Sequence, residues 1–74
     1  MDRTTYLDAV LEVTGGPAWE TIQETMKDDI RNVEVQELSA DTWENVLELR
    51  GFRRALIYIH DLRDLAKLEK SNAL

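Results

Sequence analysis

Residues 41–70, DTWENVLELRGFRRALIYIHDLRDLAKLEK, decide the fold. The stretch holds no proline and opens on a capping box, Asp41 bonding the amide of Glu44 while the Glu44 carboxylate reaches back. It therefore predicts one amphipathic helix over residues 42–70, roughly 40 Å long at 1.5 Å per residue. Leu49, Phe52, Leu56, Ile59 and Ala66 form a stripe of near-heptad spacing. Ala55-Leu56-Ile57-Tyr58-Ile59 is apolar at five consecutive positions and so covers every direction around the axis. A helix that is apolar all round expects cover on every side.

Working outward, Leu38-Ser39-Ala40-Asp41 makes a tight reversal. The preceding helix is expected over 17–38, with Trp19, Ile22, Met26, Ile30 and Val33 on one face and Pro17 in its first turn. Asp2 caps a short helix over 3–13 that carries Tyr6, Leu7, Val10 and Leu11. Gly15 and Gly16 are expected to stop it in the left-handed conformation. Short connections favour antiparallel neighbours. The expected fold is all-α: a short N-terminal helix packed on a long antiparallel helical hairpin, one domain over 1–74 with a loose tail at 71–74. Facing residues of the hairpin should have position numbers adding to about 80, which sets Ile30 against Leu49–Arg50 and Ile22 against Tyr58–Ile59. The first helix should fold back over the overhang at Leu62, Leu65 and Leu68.

Seventy-four residues without cysteine must stand without disulfides or cysteine-held zinc. Helix packing and self-association are the supports left. Fifteen acidic residues against nine basic ones give a net charge of −6. That balance disfavours a phosphate backbone or an anionic membrane as partner. No apolar run approaches a membrane span of about 18 residues, and the N-terminus lacks a signal pattern. A cytosolic life, or assembly inside a cell, is the expected setting.

Candidate chemistry is sparse. His60 has Asp61 and Asp64 nearby, but two ligands on one helix face do not make a metal site. Ser39 lies at the hairpin tip, far along the helix from His60, so no nucleophilic triad forms. Asp28 and Asp29 lie on a solvated helix face with no apolar pocket around them, so no acid–base pair is expected there. Gly15-Gly16 lacks the lysine of a phosphate loop. Neither an enzyme nor a bound cofactor or metal is expected.

Charge is more informative. The second helix carries Glu20, Glu24, Asp28, Asp29, Glu34 and Glu37; the third carries Arg50, Arg53, Arg54, Arg63, Lys67 and Lys70. In the expected register Glu24 and Asp28 come level with Arg53 and Arg54, which would select antiparallel pairing. Trp19 and Trp43 suit either a hydrophobic clamp of the core, the commoner use, or an interface anchor, and Gly51 inside a helix suggests close approach of another backbone. Partner-binding residues are thus expected at Trp19, Trp43, Arg50, Gly51, Phe52, Arg53, Arg54, Ile57 and Tyr58.

Pro17-Ala-Trp19 opening a helix, followed by Trp43-Glu-Asn-Val-Leu-Glu-Leu-Arg50-Gly51-Phe-Arg-Arg-Ala-Leu56, resembles small helical-hairpin proteins of tailed bacteriophages. The likeness spans about two-thirds of the chain. It implies a role in head or tail assembly, with protein partners in a homo-oligomer or larger virion assembly and no active site to carry over. From a different class, the acidic second helix allows an inhibitor of a host nucleic-acid-processing enzyme that mimics DNA. That reading needs Glu20, Glu24, Asp28 and Glu34 solvent-facing and unpaired. A compact DNA-binding regulator is a third class, disfavoured by Glu44 and Glu48 at the end of the helix that would enter a groove.

Overall fold

The computed structural model describes residues 2–72. Four helices follow in order: α1 (Arg3–Val13), α2 (Pro17–Leu38), α3 (Trp43–His60) and α4 (Leu62–Asn72). The fold is all-α, with α2 and α3 packed as an antiparallel hairpin and α1 packed on α4. The molecule measures 46 × 24 × 19 Å, with a radius of gyration of 15.2 Å. A chain of this length folded as a sphere-like domain has about 11 Å. It is a rod.

Helix starts follow the local chemistry. Asp2 Oδ1 accepts from the Thr5 amide at 2.9 Å, and Pro17 occupies the first turn of α2 behind an extended Gly16. The third helix starts one residue later than its capping box indicated. Thr42 is the cap, its hydroxyl accepting from the Asn45 amide at 3.1 Å. The reversal needs Asp41 as well: Ser39 and Ala40 still donate backward to the carbonyls of Gln36 and Glu37.

The end of α1 departs from expectation. No glycine has a positive φ, and the C-cap is Thr14, at φ −90° and ψ 4°. The Thr14 hydroxyl donates to the Val10 carbonyl at 2.7 Å, and Arg63 of α4 donates to the Leu11 carbonyl at 2.8 Å. These donors satisfy carbonyls that a left-handed glycine would otherwise serve. Gly15 is needed for room: a Cβ there would lie 3.0 Å from the Leu11 oxygen and 3.4 Å from Arg63 Nη1.

The continuous helix expected over 42–70 is broken at Asp61, at φ −90° and ψ 5°. Gln23 of α2 donates its amide to the His60 carbonyl at 2.8 Å. A side chain entering the backbone ladder is an established cause of a kink. The same bond ties α2 to α3, and its position numbers add to 83, close to the sum of about 80 expected for the hairpin. Past the kink, α4 continues through Ser71 and Asn72, which the sequence placed in a loose tail; 73–74 lie outside the described residues.

The core is small. Leu7 and Val10 of α1 meet Ala66 of α4, with Tyr6, Leu11 and Leu62 against them. On α2, Trp19 and Val33 are buried. The first helix thus covers Leu62 and Ala66, while Leu65 and Leu68 of the expected overhang stay exposed. Arg3 with Glu69 and Lys70 with Asp8 tie α1 to α4 at the surface.

Candidate protein-docking face on the third helix

None of the eighteen residues of α3 is buried. The side it turns to α2 is half-buried and runs through Val46, Leu49, Arg53, Leu56 and His60. The stripe read from sequence had Phe52 and Ile59 in those places, and both are exposed. A seam containing an arginine and a histidine looks polar in one dimension. In three, Arg53 Nε donates to Glu37 at 2.7 Å across the hairpin, and the His60 carbonyl accepts from Gln23. The expected pairing of Arg53 and Arg54 with Glu24 and Asp28 does not form, because Arg53 reaches toward the hairpin tip instead.

Turning α3 this way exposes its apolar circumference. Trp43 is 63% exposed, Phe52 56% and Tyr58 54%, and Ile57, Leu47 and Ile59 are also on the surface. Arg50 stacks its guanidinium over the Trp43 ring, 5.2 Å from its centre. Arg54 and Gly51 are exposed, and a Cβ added at Gly51 would meet nothing within 4 Å. The close backbone neighbour expected for that glycine is therefore absent among the described residues of its own chain. Trp19 departs from the expected docking set: it is buried, so its ring serves the protein's own core. Arg53 is committed to Glu37. The expected docking set left out Leu47, and it left out Ala55 and Ile59 although both stand in the apolar run 55–59; all three are exposed on α3. The signal lay in the every-fourth-residue row they share with Trp43 and Gly51.

The exposed area is large for the mass. The chain presents 5683 Å² to solvent, where a compact monomer of 8.6 kDa presents about 4,700 Å². The difference of about 1,000 Å² matches the roughly 800 Å² that one partner contributes to a standard interface. A second apolar surface adjoins the face. A groove of about 330 Å³ between α1 and α4 is lined by Tyr6, Leu7, Val10, Tyr58, Leu62 and Leu65 among others.

Some polar groups elsewhere are engaged in structure, and two buried ring nitrogens are not. His60 Nδ1 lies 2.8 Å from Asp61 Oδ1, at the kink. His60 Nε2 and Trp19 Nε1 are buried without a hydrogen-bond partner among the described residues. The Ser39 hydroxyl donates to the carbonyl of Val35 at 3.3 Å, closing the end of α2. Among the described residues, no group of three or more histidine or carboxylate side chains is placed to hold a metal ion. No helix among them is long and apolar enough to cross a membrane.

No protein-family model matches the chain, and neither the curated proteins nor the solved structures contain a significant match to it.

Proposed function

We propose that the chain is a small non-enzymatic assembly protein that works by helix docking, as an accessory or adaptor component of a bacteriophage particle present in several copies. The observation that carries this reading is α3, an aromatic-rich helix with no buried residue, on a molecule with about one partner's worth of surplus exposed area. Large contiguous apolar surface on a small chain marks a site for another protein. Trp43, Phe52, Ile57 and Tyr58 supply the anchors, and Arg50 and Arg54 supply polar selection at the rim. The phage setting comes from the sequence resemblance alone. Its test is cross-linking mass spectrometry on purified particles. Fixed stoichiometry with inter-chain links through Lys27, Lys67 or Lys70 is expected, and absence from particles would sink the reading.

A specific observation favours a second reading, an acidic inhibitor of a host nucleic-acid-processing enzyme. Glu20, Glu24, Asp28 and Glu34 are all exposed, and no ion pair among the described residues engages them. Solvated carboxylates are ordinary on a surface helix, whereas an exposed tryptophan-and-phenylalanine face is not, so assembly ranks first. Light scattering over a salt series separates the two. An oligomer indifferent to salt supports assembly. A monomer that captures a basic enzyme only at low salt supports inhibition.

A further inference from the structure

Trp43, Leu47, Gly51, Ala55 and Ile59 recur every fourth residue, and all five are exposed. Such a row forms a continuous ridge along a helix. This one is apolar throughout and lowest in its middle, at Gly51 and Ala55, with its bulky residues toward the ends. That profile suits two helices that cross closely at the centre and diverge outward.

The flanks carry the second observation. On one side of the ridge runs the row Arg50, Arg54, Tyr58; on the other runs Glu44, Glu48, Phe52. Glutamates four apart repel in a lone helix, as do arginines four apart. No ion pair among the described residues relieves Glu44, Glu48 or Arg54. A two-fold axis parallel to α3 places each copy's glutamate flank against the other's arginine flank, as at the e and g positions of parallel coiled coils. An antiparallel pair would instead set like flank against like flank.

From this arrangement we infer that the occupant of the face is a second copy of this chain, paired through α3 in parallel, crossing at Gly51–Ala55. The inference rests on the assembly reading and names its first partner. The surplus exposed area of about 1,000 Å² per chain is what such a pair needs to cover. α2 lies on the other side of α3, so the hairpin does not obstruct the approach. The open space at Gly51 in the single chain has a direct consequence: a large side chain there obstructs the pair without touching the fold.

Four measurements test it by sedimentation and circular dichroism on the purified full chain. The unaltered chain should sediment at twice its mass. Gly51→Leu should sediment as a monomer with helicity kept or raised. Glu48→Arg and Arg54→Glu should each weaken association at least tenfold, and the double variant should recover it. Ala55→Cys, in a chain with no other thiol, should form an inter-chain disulfide on mild oxidation. A monomeric unaltered chain overturns the inference, as does a Gly51→Leu dimer of undiminished affinity, charge variants without rescue, or an Ala55→Cys chain that does not cross-link. A chain monomeric alone yet present in particles defeats self-pairing and leaves assembly standing. A chain that pairs as described but is missing from particles supports the pairing and defeats the assembly reading.

Discussion

Gly15 and Gly16 adjoin in sequence and do different work. A Cβ at Gly15 would press on the Leu11 carbonyl and on the Arg63 guanidinium that donates to it. Gly15→Ala should therefore cost about 1 kcal/mol, the worth of a weakened hydrogen bond, read as a lower midpoint in urea. Gly16 has open space around it and caps α2 without a side-chain hydrogen bond. Gly16→Ser adds that bond and should raise stability by a few tenths of a kcal/mol or more. Two carboxyls respond to acid. The Arg3 guanidinium holds Glu69 below its ordinary 4.5, and the Thr5 amide and hydroxyl hold Asp2 below its ordinary 3.8. Groups with lowered folded values stabilise fully above the ordinary value and lose that contribution as pH falls through the folded one. Below about pH 4.5 α1 should loosen from α4, seen as faster amide exchange in α1, and Glu69→Gln should remove the part that titrates with Glu69.

At the scale of elements, the kink depends on one donor from a neighbouring helix. Gln23→Leu removes the amide that enters the ladder at His60. The expected result is a straighter α3–α4 junction, measured as a longer distance between spin labels placed at Glu44 and Lys67. No change in that distance would assign the bend at Asp61 to another cause. Arg53 with Glu37 sits partly buried at the other end of the hairpin. Glu37→Gln should cost about 1–2 kcal/mol, since a half-buried guanidinium loses its charged acceptor. The helices themselves were legible. Asp2, Pro17 and the three- and four-residue spacing located α1 and α2 to the residue. The interruption at Asp61 was not legible, because nothing in 57–64 breaks a helix locally.

The whole molecule is a rod with little interior. Its core rests on few side chains, and Leu7, at 4% exposure, is central to the α1–α4 contact. Leu7→Ala should cost about 2–4 kcal/mol. Domains of this size have only about 4–11 kcal/mol in total, so the variant should melt with a much reduced midpoint.

Local chemistry along the chain was enough to determine an all-α hairpin, where α1 and α2 begin, and the surplus of apolar circumference around residues 55–59. Caps, proline and periodicity act within a turn or two, so they can be read in one dimension. Which side of α3 meets α2 was decided only in three dimensions. Arg53 enters the seam where Glu37 accepts from it, and the helix is interrupted at Asp61 beside the bond from Gln23 to the His60 carbonyl. With that rotation chosen, Phe52 and Ile59 turn outward. The docking face follows from partners far apart in sequence, whose energies no local pattern contains.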